Sequence, residues 1–243
     1  MTEQVERSAG SNYGIDAPGV IRNMAVIGLA LLIAAAIARH FASPSQYAML
    51  WTGIWLELGS VLMLVYSRWG KLLHRDRMLN LHQWRGDEQV LDVGTGRGLL
   101  LVGAARRLTS GRATGVDIWN AADLSGNARE RTEANLAREG VAARCSLADE
   151  DAASMSFPDH SFDVVLSNLC LHNIKDRSTR QRAVWEVARV LKPGGEVILS
   201  DFKSTREYAR VLREAGLQVK RRWPNLLTTY PPLRILTARK PGP

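Results

Sequence analysis

The sequence predicts an α/β protein in which a parallel sheet is covered by helices and preceded by a helical segment. From Asp87 onward, short apolar strand patterns alternate with longer helical patterns. This alternation is typical of a parallel sheet with helices on both faces. Before residue 67, two long apolar runs replace any strand pattern. A chain of 243 residues is long enough for one such domain and an appendage.

The predicted elements of this domain follow directly from the apolar periodicity. Strands are expected at 89–93, 113–118, 142–146, 162–168, 196–201, 217–223 and 233–239, and helices at 98–109, 124–140, 179–191 and 204–215. Ligands of such sheets bind beyond the carboxyl ends of the strands. The residues at those ends are therefore the first candidates for a functional site.

A glycine-rich turn follows the first predicted strand. Gly94, Gly96 and Gly98 alternate with other residues after Asp92. Glycine relieves the steric conflict of a tight turn, and the next helix offers free N–H groups to a ligand. The dinucleotide fingerprint G-x-G-x-x-G fails here, because its third glycine falls on Leu99. The carboxylate of Asp92 suits a cationic or hydroxyl-rich ligand.

The turn resembles the first motif of class I S-adenosyl-L-methionine (SAM)-dependent methyltransferases. Stretches 113–119, 151–168 and 189–201 also resemble motifs of that family, and 156–165 is closest to its ubiquinone/menaquinone-biosynthesis type. The resemblance covers residues 81–240. It implies a Rossmann-like, seven-stranded, mostly parallel sheet whose last two strands form an antiparallel hairpin. It also implies SAM as cofactor and S-adenosyl-L-homocysteine as product.

The resemblance further implies which residues bind the cofactor. Asp117 would bind the ribose hydroxyls, and Ile118 or Trp119 would pack on adenine. Asp151 is favoured over Asp149 as the acid that caps the adenine amino group. The full predicted set is Asp92, Gly94, Thr95, Gly96, Gly98, Asp117, Ile118, Trp119, Asp151, Ala152 and Asn168.

The catalytic candidates are His172, Asn168 and Tyr230. Methyl transfer from a sulfonium mainly needs alignment and exclusion of water, and a base is needed only when the acceptor is protonated. The stretch 168–173, which borders the methyl group in the family, lacks Asn-Pro-Pro-Tyr, which speaks against adenine or glutamine amines as acceptors. His172 is either a base, a group that orients the acceptor, or a residue that lines the pocket. Asp201 and Glu57 are weaker candidates.

The two apolar runs predict a helical membrane hairpin over residues 19–66. The runs are 24–38 and 48–66, the second broken only by Glu57, with a short turn between them. A helix needs ~20 apolar residues to span a bilayer. A soluble helical cap remains open, because Glu57 is costly in lipid. Expected interfacial aromatics are Tyr47, Trp51, Trp55, Tyr66 and Trp69, and the small residues Gly28, Gly53 and Gly59 leave room for close helix packing and a homo-oligomer.

Four segments are predicted: a polar tail (1–18), the hairpin (19–66), a basic connecting helix (67–86) and the SAM-binding domain (87–243). The connecting helix either lies along the membrane surface or packs on the sheet edge. The net charge of +8 permits nucleic acid or an anionic membrane as partner. Basic residues cluster after the second apolar run, which favours the membrane and places the domain in the cytosol at a bacterial-type inner membrane. No nucleic-acid partner and no metal are expected.

The function predicted from the sequence is methylation of a lipophilic small molecule or lipid by a membrane-anchored enzyme. Cys145 and Cys170 have no partners at zinc-ligand spacing and are expected to be reduced thiols. A non-catalytic SAM-binding or assembly protein of the membrane is the alternative, since such a protein would retain the same cofactor motif.

Overall fold

The computed structural model describes residues 11–242 and contains a seven-stranded sheet. In the strand order β3-β2-β1-β4-β5-β7-β6, strands β1 to β5 pair in parallel. Strand β7 is antiparallel to both β5 and β6. The predicted fold class is therefore confirmed, including the antiparallel hairpin at the end of the chain.

The strands are β1 (Gln89–Val93), β2 (Arg112–Asp117), β3 (Cys145–Asp149), β4 (Phe162–Asn168), β5 (Leu191–Asp201), β6 (Gln218–Arg221) and β7 (Arg234–Arg239). The helices are α1 (Pro18–His40), α2 (Gln46–Val65), α3 (Lys71–Leu79), α4 (Leu99–Ala105), α5 (Arg129–Arg138), α6 (Arg177–Val190) and α7 (Thr205–Glu214). A π-helical turn, Tyr66–Gly70, joins α2 to α3. Short 3-10 turns span Ala142–Arg144 and Leu171–Asn173.

Several predicted bounds differ from the structure. Strand β5 begins at Leu191 and not at 196, α4 ends at Ala105 and not at 109, and α5 begins at Arg129 and not at 124. The third strand was expected at 142–146, but Ala142–Arg144 form a 3-10 turn and the strand continues to Asp149. The connecting helix was expected to reach residue 85, but it ends at Leu79, whose carbonyl accepts a hydrogen bond of 2.8 Å from the Trp84 indole. A side chain from beyond the helix thus satisfies a carbonyl at its end.

Helix α3 packs against the sheet. Met78 and Leu79 are fully buried in the same cluster as Val90, Leu101 and Ile198. The other face of the sheet is covered by α6 and α7 through residues such as Val184 and Leu212. The connecting helix thus packs on the sheet as one interpretation expected, but on a face of the sheet, over its central strands, and not at its edge.

Helices α1 and α2 form a pair whose apolar side chains face outward. Two helical stretches are long and apolar enough to cross a membrane, Pro18–His40 and Gln46–Leu79, and few of their residues are buried. Gly28 and Gly53 lie between the two helices: a Cβ on Gly28 would lie 2.8 Å from Oε1 of Glu57, and one on Gly53 would lie 2.9 Å from Leu32. These glycines therefore serve close packing within one chain. The exposed apolar side chains include Val26, Ile27, Leu29, Ile33, Ile37, Trp51, Trp55, Leu58 and Val61.

Candidate cofactor and acceptor site

A cavity of about 320 Å³ opens at the carboxyl ends of β1, β2 and β4. Most of the predicted cofactor residues line it. They are Asp92, Gly94, Thr95, Gly96, Asp117, Ile118, Asp151, Ala152 and Asn168. The sequence motifs, which are far apart along the chain, thus meet around one space, as expected for the switch point of a parallel sheet.

Gly98 and Trp119, which were also predicted to bind the cofactor, do not line this cavity. Gly98 precedes α4 with φ of 80°, a left-handed conformation that glycine adopts without strain. The indole of Trp119 turns away and donates a hydrogen bond of 2.7 Å to Asp149. Ile118, which is 66% exposed and lines the cavity, is left as the apolar surface for an adenine ring.

Asp92 holds the glycine turn from inside the protein. Its Oδ2 accepts hydrogen bonds from the Thr95 hydroxyl at 2.8 Å and from the backbone N–H of Leu101 at 3.0 Å. Burial raises the pKa of the Asp92 carboxyl to about 7, against the opposing effect of these two hydrogen bonds. A cation bound in the cavity would favour the ionised form of this carboxyl.

Gly94 is required by both backbone conformation and space. Its φ is 71°, and a Cβ at this position would overlap Sγ of Cys170. Burial raises the pKa of the Cys170 thiol well above its ordinary range, so this cysteine stays protonated. Cys170 therefore behaves as a small apolar residue that closes one side of the cavity.

Asp117 has the position that the resemblance implies for a ribose-binding acid. Its carboxylate accepts hydrogen bonds from the backbone N–H of Gly96 (2.7 Å), from that of Trp119 (2.7 Å) and from the Asn127 amide (3.2 Å). These donors fix the carboxylate at the edge of the glycine turn and leave acceptor capacity unused.

The two competing acids at the end of β3, Asp149 and Asp151, differ in whether they line the cavity. Asp149 forms a 2.8 Å ion pair with Arg129 and lies outside the cavity wall. Asp151 lines the cavity, and its Oδ1 accepts a hydrogen bond from the N–H of Ala153 at 2.8 Å. The geometry therefore favours Asp151, as the sequence did.

Several residues of the wall were missed from the sequence, and Tyr13, Asp16 and Lys71 lie farthest from the predicted motifs along the chain. The Lys71 ammonium donates hydrogen bonds to the carbonyls of Tyr13 (2.8 Å) and Gly14 (2.6 Å) and lies 3.4 Å from Asp16. The segment 11–16 thus lies across the cavity, tied to a buried lysine of α3. No motif marks these residues, since they precede the region of resemblance and only tertiary packing brings them here.

A second contact ties this segment to the glycine turn. The Arg97 guanidinium donates a hydrogen bond of 2.8 Å to Oδ1 of Asn12, and the Asn135 amide donates one of 3.1 Å to the carbonyl of Asn12. Arg97 is almost fully buried. The segment 11–16 therefore forms part of the cavity, and residues 1–10 of the predicted polar tail lie outside the described residues.

His172 lies behind the cavity wall, next to Asn173, which is part of that wall. Its Nδ1 is 2.9 Å from Oδ1 of Asp201, although the ring is not aligned for a hydrogen bond. The buried Asp201 also accepts a hydrogen bond of 3.1 Å from the Tyr208 hydroxyl. A carboxylate fixed in this way can orient a neighbouring imidazole.

Tyr230, the third catalytic candidate, lies against the hairpin. It is not part of the cavity wall, and its hydroxyl lies 3.1 Å from the position of a Cβ on Gly59 of α2. Tyr230 therefore packs the end of the chain against the hairpin. The prediction for Tyr66 is corrected: it is 4% exposed and cannot serve as an interfacial anchor.

The residues present fit SAM. Asn168 lines the cavity, and its Oδ1 is buried without a hydrogen-bond partner. Unpaired buried polar atoms are rare, and those that border a cavity are explained by a polar ligand. Among residues 11–242 no group of His, Cys, Asp and Glu side chains could hold a metal ion.

Comparison with known proteins agrees with this geometry. Residues 91–199 match the family described as "Methyltransferase domain". The ubiquinone/menaquinone biosynthesis C-methyltransferase UbiE of Geotalea daltonii is 34% identical over 119 residues, which are 49% of this chain and 47% of the relative. The demethylmenaquinone methyltransferase of Tropheryma whipplei is 35% identical over 121 residues, 50% of this chain and 44% of the relative. This chain thus spans less than half the length of either relative.

The fold is shared with solved structures. A SAM-dependent methyltransferase from Aquifex aeolicus superposes with a TM-score of 0.55 at 17% identity, covering 68% of this chain and 88% of that protein. A likeness at this identity bears on fold alone. The family match over residues 91–199, together with the motif residues around the cavity, makes this a methyltransferase domain that is similar to SAM-dependent methyltransferases of the UbiE-like type.

Proposed function

We propose that this chain methylates a lipophilic acceptor that reaches the site from a membrane. The observation that carries the proposal is the path of the chain from the hairpin to the cavity. Helix α2 passes through the turn Tyr66–Gly70 into α3 without a linker, and Lys71, the first residue of α3, lines the cavity. An acceptor dissolved in lipid would therefore meet the site at the end of the helix pair.

SAM would be held by its ribose and adenine through Asp117, Asp151 and Ile118. The carboxyl of Asp92 lies on the side of the cavity that suits the cationic part of SAM. When bound, SAM supplies a methyl group on an activated sulfonium. The protein therefore needs to position the acceptor and exclude water. The segment 11–16, held by Lys71 and Arg97, covers the cavity and serves the second purpose.

His172 would act on an acceptor that carries a proton on oxygen or nitrogen. Its Nδ1 lies 2.9 Å from Oδ1 of the buried Asp201, which orients the ring. A histidine in such a position can remove a proton as the methyl group is transferred. An acceptor that is already nucleophilic would not need this step.

A quinone precursor is the acceptor class that the comparisons support best. Both relatives described above have names that refer to ubiquinone or menaquinone synthesis. The exposed apolar faces of α1 and α2 provide a surface that is compatible with lipid around such an acceptor. We place the catalytic domain in the cytosol, because Arg68 and Arg77 are exposed just beyond α2 and basic residues favour the cytosolic side.

Titration of the purified full-length chain with SAM tests the first half of the proposal. We expect Asp117→Ala to weaken SAM about 10- to 100-fold, the range for losing hydrogen bonds to a charged group. Asp149→Ala is the matched control, because Asp149 is the register partner of Asp117 on β3 and lies outside the cavity. Equal affinities of the two variants would contradict the assignment of the cavity.

Incubation with methyl-labelled SAM and membrane lipid extracts tests the second half. We expect the native chain to transfer the labelled methyl group to an extractable lipophilic product. The Asp117→Ala variant should give no labelled product. SAM binding without turnover across lipid, quinone-precursor and small-molecule acceptors would instead favour a non-catalytic SAM-binding protein of the membrane.

A further inference from the structure

The loop between β6 and β7 carries the most exposed apolar side chains of the sheet domain. Trp223, Leu226 and Leu227 are 87%, 71% and 96% exposed. Large apolar side chains grouped in this way usually mark a surface that meets another apolar phase. The methyltransferase reaction proposed above makes no use of them, because none lines the cavity.

The loop is held in shape, so the exposure of its leucines does not come from a loose chain. Oδ1 of Asn225 accepts hydrogen bonds from the backbone N–H groups of Leu227 (3.1 Å) and Thr228 (3.2 Å). The Thr229 hydroxyl donates to the carbonyl of Asn225 and accepts from the N–H of Leu233 at 3.0 Å. Asn225 and Thr229 are both buried. The polar groups of the turn are thus satisfied internally while the two leucines point outward.

The position of the loop is set by the hairpin. Strand β6 runs parallel to β5, because both are antiparallel to β7, so the loop leaves the same edge of the sheet as the cofactor site. The carbonyl of Thr228 lies 2.5 Å from the position of a Cβ on Gly70, and Tyr230 packs against Gly59. The loop therefore lies at the end of α2, beside the exposed Trp69.

Basic residues cluster at the end of β6, where the loop begins. Burial and the repulsion of Arg234, Arg206 and Arg213 lower the pKa of Arg221. Among the residues that the structure describes, none of these four guanidinium groups has a carboxylate within 4.0 Å. Exposed Lys220 and Arg222 adjoin the cluster. Apolar side chains with unpaired basic residues beside them are the combination that binds the interface of an anionic membrane.

We infer that residues 223–227 insert into the interfacial region of an anionic lipid bilayer, with the neighbouring arginines on its headgroups. This inference rests on the membrane location proposed for the hairpin and adds a second contact with the same bilayer. The two contacts fix the tilt of the sheet domain and direct the mouth of the cavity toward the lipid.

An environment-sensitive fluorophore on Leu227→Cys tests the inference in the full chain, reconstituted in vesicles of phosphatidylcholine and phosphatidylglycerol. Ser110→Cys is the control, because Ser110 precedes β2 and is exposed at the opposite edge of the sheet. A third label on Trp55→Cys reports on α2. The unsubstituted protein, labelled in parallel, gives the background from Cys145 and Cys170.

We expect the label at 227 to be protected from iodide and to be quenched by brominated lipid. The label at 110 should remain quenched by iodide and should not be quenched by brominated lipid. We also expect vesicles of phosphatidylcholine alone, or Arg206→Gln with Arg213→Gln, to restore iodide quenching at 227. Equal iodide quenching at 227 and 110 in anionic vesicles would overturn the inference.

The label at position 55 separates the two ideas. If it is quenched by brominated lipid while the label at 227 stays in water, the hairpin is anchored and only the inference fails. If neither is quenched, the membrane location fails with it. A label at 227 that is shielded from iodide but not quenched by brominated lipid would mean that a second copy of the chain covers the loop, which also overturns the inference.

Discussion

The protonation of Asp92 links cofactor binding to pH. In the ligand-free protein burial raises the pKa of this carboxyl to about 7, so that it is largely neutral in mildly acidic solution. A cation in the cavity interacts better with the ionised form. We therefore expect the affinity for SAM to rise with pH. Below the pKa of Asp92, each decrease of one pH unit should lower the affinity by up to about tenfold. Calorimetry between acidic and mildly basic pH measures this slope.

Asp92→Asn is the control for this linkage, because the amide has the same shape and stays neutral at every pH. We expect the variant to keep only the pH dependence that comes from the amino group of SAM itself. S-adenosyl-L-homocysteine, which lacks the sulfonium charge, should show a smaller slope with the native chain. The same slope for Asp92→Asn and the native protein would show that Asp92 does not titrate during binding.

At the residue scale, the sequence predicted those side chains that the chemistry of the ligand demands. Asp117 and Asp151 lie at strand ends within recognisable motifs, and the structure places both at the cavity. Tyr13 and Lys71 could not be found in this way. They meet at the cavity because the buried ammonium of Lys71 is stabilised by hydrogen bonds to backbone carbonyls, and the carbonyl of Tyr13 lies 58 residues away along the chain. No local sequence pattern encodes this pairing.

The glycine turn gives a prediction at the scale of the element. Gly94→Ala adds a methyl group where φ is 71° and where it would overlap Cys170, so we expect loss of SAM binding and a lower melting temperature. Gly216→Ala is the matched control: its φ is 84°, but nothing lies within 4 Å of the added Cβ. It should lose about 1 kcal/mol of stability through backbone strain alone and retain SAM binding. Equal losses in both variants would show that the contact with Cys170 is irrelevant.

The packing of α1 on α2 depends on its small residues. We expect Gly53→Val to destabilise the helix pair by about 1–3 kcal/mol, the usual cost of overpacking, since a Cβ would already lie 3.0 Å from the carbonyl of Gly28. Gly19→Val is the control within α1, because nothing lies within 4 Å of a Cβ there. Unfolding of the full chain in mixed detergent micelles, followed by circular dichroism, compares the two. A Gly53→Val protein as stable as Gly19→Val would exclude the observed packing.

Elements were predictable where periodicity is strong, and their ends were not. Strands β1 and β4 match their predicted bounds, because each contains a short apolar stretch (90–91 and 164–166) with polar residues on either side. The shift of β3 and the early end of α3 have tertiary causes. The parallel pairing of β3 with β2 places Asp149 opposite Asp117, and the Trp84 indole takes the last carbonyl of α3.

At the scale of the whole molecule, the predicted segments are more closely joined than the sequence suggested. The stretch before α1 covers the cavity, α3 belongs to the core of the sheet domain, and Tyr230 packs against α2. Apolar runs identify the hairpin as a unit, but they do not show which of its residues face the rest of the chain. Tyr230 contacts Gly59, and the carbonyl of Thr228 contacts Gly70. A single glycine gives no hydrophobic periodicity, so the sequence does not predict these contacts.

The proposed orientation in the membrane gives the last prediction. If both helices span the bilayer, the short turn between His40 and Gln46 must lie on the side opposite the sheet domain, because both outer ends of the pair connect to that domain. We expect a membrane-impermeant maleimide to label Ser45→Cys in intact bacterial cells and Ser110→Cys only after lysis. Both positions are exposed, so a difference in labelling reports the membrane and not burial in the protein. Labelling of neither before lysis and both after it would mean that the helix pair does not cross the bilayer.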